Sequence, residues 1–251
     1  MKVDHKLKID IFAHILPPKY KKTLYKVAPS GFYLQDVIET LPTLFDIEYR
    51  FRIMDKFEGL VQVLTLSSPP VELIAEPQKA TDLARLANDE MAELVLKFPD
   101  RFVTAVACLP MNNMDAALQE VDRTINNLKF RGVQIFTPIN DKPLDSPEFM
   151  PLYEKMSQYN LPIWSHPQRT ADYADYRTES RSRYMIFSNF GWPYETTVAM
   201  TRLVFSGVLE KYPNLRVITH HCGGMIPYLV ERIMPRCCEG QDISSTSLKL
   251  Q

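Results

Sequence analysis

Six short β-rich runs lie along the chain with longer amphipathic segments between them, and this alternation constrains the fold more than any other feature. The strand candidates are residues 7–12, 60–66, 102–109, 132–136, 162–166 and 215–220; helix candidates lie at 47–57, 77–98, 114–127, 147–159 and 193–211. In the second helix Leu83, Leu86, Ala87, Met91, Leu94 and Val95 share one side, while Asp82, Arg85, Asp89, Glu93 and Lys97 face water. Strands separated by helices imply an α/β fold with a parallel sheet, because a parallel partner strand requires a long crossover. A chain of 251 residues, 45% of them hydrophobic, is long and apolar enough to bury a substantial core, which excludes a disordered chain. We expect one β/α domain over residues 1–238, with insertions at 17–45 and 168–191, and a polar tail over 239–251. Each insertion follows the C-terminal end of a strand, the end that carries catalytic loops in β/α barrels. A closed barrel needs eight strands and six are legible, so the chain reads as an open α/β sheet or as a barrel truncated after about six units.

Charge and cysteine usage exclude several function classes. Lys plus Arg number 29 against 30 Asp plus Glu, and no basic run offers a phosphate footprint, so nucleic acid is not expected as a partner. The apolar runs are short and strand-like, and the first ten residues lack a signal-peptide core; no membrane contact and a cytoplasmic location are expected. Cys108, Cys222, Cys237 and Cys238 form neither a disulfide framework nor a zinc spacing, and are read as reduced thiols.

Of five histidines, His14, His166, His220 and His221 fall at or just past the C-terminal end of a strand candidate; His5 lies elsewhere. A single histidine there is most often a hydrogen-bonded packing residue. Three strands sending histidines to one end form a pattern suited to holding a divalent metal ion or carrying a proton. Neighbours on a strand point to opposite faces, so only one of His220 and His221 is expected to face the site.

The context of these histidines resembles one enzyme family. The segments are Ile9-Asp10-Ile11-Phe12-Ala13-His14-Ile15-Leu16-Pro17, Leu109-Pro110-Met111, Trp164-Ser165-His166-Pro167, Gly191-Trp192-Pro193-Tyr194-Glu195-Thr196-Thr197 and His221-Cys222-Gly223-Gly224-Met225-Ile226-Pro227 with Arg232-Ile233. Their order and spacing resemble the amidohydrolase-2 group of the amidohydrolase superfamily, which includes aminocarboxymuconate semialdehyde and resorcylate-type decarboxylases. The resemblance implies a TIM-barrel-like (β/α)8 fold and a metal-dependent lyase, a decarboxylase, or a hydrolase, acting on a small carboxylated substrate. It implies His14 and His166 as metal ligands and His221 as the residue that handles the proton; Asp10, which shares a strand face with Phe12 and His14 by the two-residue period, is read as a substitute ligand, although the family carries an aspartate there without using it as one. It also implies a divalent ion, zinc or manganese, which two imidazoles and Asp10 are expected to hold weakly. Arg232 is similar to an arginine that crosses a homodimer interface to hold a substrate carboxylate, and Trp192 is read as part of an apolar substrate wall.

Three departures bear on these expectations. Phe12 occupies the place of the first histidine of the family's His-x-His, and it offers no ligand atom. The family's last ligand is an aspartate on strand eight, whereas Asp242, the one aspartate after strand six, lies in the serine-rich tail. The stretch 39–45 contains no arginine, where the decarboxylases carry one. The alternatives to an enzyme are an impaired or non-enzymatic family member and, last, an open α/β binding domain.

Overall fold

The structure, a computed structural model, describes residues 7–233. It contains strands β1 (Lys8–Ile15), β2 (Leu60–Leu66), β3 (Phe102–Ala105), β4 (Ala107–Cys108), β5 (Val133–Thr137), β6 (Pro162–Pro167) and β7 (Arg216–Thr219). The helices are α1 (Pro18–Val27), α2 (Gln35–Thr40), α3 (Ile47–Met54), α4 (Val71–Ile74), α5 (Pro77–Lys97), α6 (Met114–Asn126) and α7 (Met150–Tyr159). They continue with α8 (Ile186–Asn189), α9 (Gly191–Phe205), α10 (Val208–Lys211) and α11 (Ile226–Ile233). All six expected strands form, and the run 102–109 is interrupted at Val106 to give β3 and β4. The described pairings are parallel, in the orders β1-β2-β3 and β4-β5-β6-β7. The protein is therefore α/β, with six β/α repeats among the described residues. Cys237 and Cys238 and the expected tail at 239–251 lie outside the described residues.

The chain divides into two compact units, residues 1–134 and 135–251. In the first, β2 is buried along Val63, Leu64 and Leu66, and α5 covers the sheet with Leu83, Ala84, Ala87 and Met91 at helical spacing. Asn88 joins three elements there. Its amide oxygen accepts from Cys108 N at 2.8 Å, and its Nδ2 donates to Cys108 O at 2.9 Å and to Glu120 Oε1 of α6 at 2.7 Å. Helix α1 begins after Pro17 with no cap from its own side chains, and Glu90 of α5 supplies one by accepting from Lys19 N and Tyr20 N. The insertion 17–45 is thus ordered, holding α1 and α2.

In the second unit β6 pairs with β7 from Pro162↔Arg216 to Ser165↔Thr219. The single helix expected over 193–211 is instead α9 and α10. Gly207 breaks it by adopting φ +77, a left-handed conformation that glycine tolerates without steric cost. Helix α9 also starts two residues earlier than expected, at Gly191. The insertion 168–191 is mostly irregular and is tied by Asp175, which accepts from Ser182 Oγ at 2.8 Å and Arg183 N at 2.9 Å.

Candidate functional site

At the end of β1, His14 lies opposite Thr65 of β2, and its Nδ1 is hydrogen bonded to the Thr65 hydroxyl at 2.8 Å. That bond engages Nδ1 and orients the ring. The His14 backbone is held from behind by Arg50 of α3, whose Nη2 donates to the His14 carbonyl. Arg50 also donates to Gln62 Oε1 at 2.8 Å and to Thr43 O at 3.0 Å. Burial lowers the Arg50 pKa to about 10, opposed by nearby Asp10. Asp10 accepts from Phe12 N at 3.0 Å and from Gln62 Nε2 at 3.2 Å. The structure thus places Asp10 in the hydrogen-bonded support of β1, where the register shifts between Asp10 and Ala13, and not in a ligand-capable group with histidines. Phe12 is half-buried on this strand.

In the second unit His166 ends β6 and is buried. Its Nδ1 lies 2.7 Å from the Pro167 carbonyl, which can only accept, so Nδ1 carries the proton and Nε2 presents the lone pair. The ring of His220 is 4.2 Å from that of His166, centroid to centroid, and the two offer ring nitrogens within 4.8 Å of one another. His220 is buried, and its N–H donates to Ser165 O at 3.2 Å. His221 is on the exposed rim, 6.2 Å from His166, and stacks on Trp192 at 5.9 Å and 29°. Desolvation lowers its pKa from the usual histidine value.

The expectation that His220 turns away while His221 faces inward is corrected by this geometry. Strand β7 ends at Thr219, and His221, Cys222 and Gly223 take φ of +50, +54 and +83. The two-residue alternation stops before the histidines, so both rings lie on the His166 side. The buried one beside His166 is His220.

An aromatic wall surrounds this pair. Phe136 is 5.2 Å and Trp192 5.8 Å from His166, and Trp192 Nε1 donates to the Arg169 carbonyl at 2.9 Å. Trp192 thus packs against both His166 and His221. Glu195 of α9 accepts from Thr137 Oγ1 at 3.1 Å; burial raises its pKa, against the opposing effects of that bond and of Arg169. Arg232 is exposed in the last turn of α11. Sequence reasoning missed Thr65, Arg50 and Arg169. Glu195 stood inside a quoted motif without a role, and Arg169 follows His166-Pro167 closely, but nothing local marks Thr65 or Arg50.

The family description for amidohydrolases matches residues 9–236. The chain belongs to the amidohydrolase family. This amidohydrolase is 30% identical over 242 residues to 2-amino-3-carboxymuconate-6-semialdehyde decarboxylase of Dictyostelium discoideum, covering 90% of the chain and 66% of that protein. It is 34% identical over 197 residues to a gamma-resorcylate decarboxylase of Rhizobium sp. (strain MTP-10005), covering 76% of the chain and 60% of that protein. The chain therefore spans less than two thirds of these relatives' length. A crystal structure of a dihydroxybenzoic acid decarboxylase from Polaromonas sp. JS666, with bound manganese and the inhibitor 2-nitroresorcinol, superposes with a TM-score of 0.76 at 29% identity. That match covers 92% of this chain and 70% of the other.

Proposed function

We propose that His166 and His220 hold a divalent metal ion, that His14 is a metal ligand as the family resemblance implies, and that the protein is a decarboxylase, a carbon–carbon lyase acting on a small aromatic carboxylate. The observation that carries this reading is the His166–His220 pair, with the proton of His166 fixed on Nδ1 so that Nε2 is a ligand atom. Neutral imidazoles suit a divalent ion that keeps open positions for substrate, and they favour zinc; manganese, bound in the Polaromonas relative, is the other candidate. When bound, such an ion acts as a Lewis acid toward a substrate oxygen.

The remaining work belongs to the chain's own side chains. Trp192 and Phe136 receive the flat ring and exclude water. His221, whose neutral form desolvation favours, takes up a proton and passes it to the ring carbon that bears the carboxylate. The bond from that carbon to the carboxylate then breaks, its electron pair restores the aromatic ring, and carbon dioxide leaves. Arg232 is proposed as a substrate-binding residue supplied across a homodimer. The small-molecule substrate reading and a cytoplasmic location are kept as proposals; no described helix is long and apolar enough to cross a membrane.

The test is metal analysis together with turnover of gamma-resorcylate. His14→Ala and His166→Ala are expected to lose metal, whereas His221→Asn keeps it and loses ~100- to 10,000-fold in turnover. Phe12, standing where a ligand histidine belongs, favours a second reading, an impaired family member. Protein that retains metal but releases no carbon dioxide would support that second reading.

A further inference from the structure

Strand β1 carries one residue more than the strand it pairs with. Asp10 lies opposite Gln62 and Ala13 opposite Leu64, three steps against two, so an extra residue is held between them. This decides which face each side chain takes. Asp10 shares a face with Gln62, whose Nε2 donates to Asp10 Oδ2 at 3.2 Å, and His14 shares a face with Thr65, bonded at 2.8 Å. Gln62 and Thr65 are three residues apart on β2 and so point to opposite faces. Asp10 and His14, an even number of residues apart on β1, therefore also point to opposite faces. The Asp10 face is the one that α3 covers: Arg50 donates to Gln62 Oε1 at 2.8 Å, and Phe102, paired with Gln62, packs against Phe51. His14 faces away from that helix.

We propose that Asp10 is a positioning residue: its carboxylate holds the extra residue in β1 and so decides the face to which His14 points. Oδ1 accepts from Phe12 N at 3.0 Å, inside the irregular stretch, while Oδ2 is fixed by Gln62. Arg50 completes the clamp. It is buried, bonds Gln62 and the Thr43 carbonyl, donates to the His14 carbonyl, and has Asp10 as a negative charge nearby. The extra residue is thus pinned on both sides, at Phe12 by Asp10 and at His14 by Arg50. The competing arrangement is regular pairing, in which the chain after Asp10 slips by one residue, so that Ala13 comes opposite Thr65 and His14 opposite Leu66. A slip of one exchanges the two faces and turns His14 toward the helix layer. The facing of His14 stands on this geometry alone; its consequence for metal binding rests on the reading of His14 as a ligand.

The experiment is NMR of the isotopically labelled full chain, following the contact between the His14 ring and the Thr65 methyl group, together with zinc titration against a chelating dye. Wild type is expected to show the contact. Asp10→Ala is expected to lose it, to bring the Ala13 methyl opposite Thr65, and to bind zinc about 10- to 100-fold more weakly. Asp10→Asn is expected to show part of that loss, because an amide that accepts from Phe12 N sets its own N–H groups against those of Gln62. Asp10→Asn combined with Gln62→Glu restores the pairing of donor with acceptor and is expected to recover both readouts. Asn88→Leu, destabilised away from β1, is expected to keep both, which separates a register effect from general instability. A contact that survives in Asp10→Ala, a zinc loss without loss of the contact, or a double variant no better than Asp10→Asn overturns the role of Asp10. Loss of the contact with unchanged zinc affinity supports that role and overturns His14 as a ligand. Should Asp10→Ala not fold, the comparison of Asp10→Asn with the double variant decides.

Discussion

His14, proposed as a metal ligand, is held by its neighbours: the Thr65 hydroxyl orients the ring and Arg50 holds the carbonyl behind it. Removing the ring's partner while keeping its shape isolates that contribution. Thr65→Val is expected to weaken metal binding about 10- to 100-fold with the fold intact, as measured by competition with a chelating dye. Glu72, buried at the start of α4, makes a separate prediction about stability. Burial raises its pKa from 4.5 to about 7, so the folded state holds the proton longer than the unfolded state does. Stability is full below the unfolded pKa and falls as pH rises from about 4.5 to about 7, by about 3 kcal/mol at most. Glu72→Gln is expected to flatten that slope, and urea unfolding at pH 4.5 and pH 8 tests it.

Between elements, a few polar contacts do what apolar packing cannot, because they specify register as well as proximity. Asn88 satisfies both backbone groups of Cys108 and reaches Glu120, fixing α5 against β4 and α6. Asn88→Leu leaves those groups buried without partners and is expected to cost ~2–4 kcal/mol in denaturant unfolding. The turn after β7 depends on Gly224, which has φ +65 and would place a Cβ 2.4 Å from Pro193 O and 2.7 Å from Thr197 Oγ1. Thr197 Oγ1 itself donates to Pro193 O and accepts from Met225 N, tying that turn to α9. Gly224→Ala therefore displaces the segment that positions His220 and His221. The expected result is a loss of metal affinity together with a lowered melting temperature, whereas a change in only one of them would separate the turn from the site.

For the whole molecule, the informative surfaces are those left apolar. On β1 Ile9 and Ile11 are 52% and 38% exposed, and on α11 Tyr228 is 88% exposed. A cavity of about 270 Å³ lies between α9, β7 and α11, lined by Phe205, Val217, Ile226 and Val230 among others. Apolar faces of this kind, with a formal charge of only −1 to oppose association, favour self-assembly. Sedimentation velocity is expected to show dimers or larger species at micromolar concentration, shifted toward monomer by Val230→Lys. A monomer throughout would contradict this expectation.

The order of elements and the strand ends that carry histidine were legible in the sequence, because periods of two and 3.6 are local properties that survive without knowledge of contacts. The run 60–66 matches β2 at both ends, and the helix 77–98 is α5 with one residue fewer. What alternation could not determine was the choice between His220 and His221. That choice rests on a left-handed turn after Thr219, stabilised by the packing of Gly224 against Pro193 and Thr197, some 30 residues away in sequence. Asp10 likewise shares a strand face with His14 by spacing, yet its oxygens are occupied by Phe12 N and Gln62 Nε2, the second of these from another strand. Tertiary structure decided these points because a side chain's role depends on which distant groups satisfy its hydrogen bonds, and local periodicity carries no record of them.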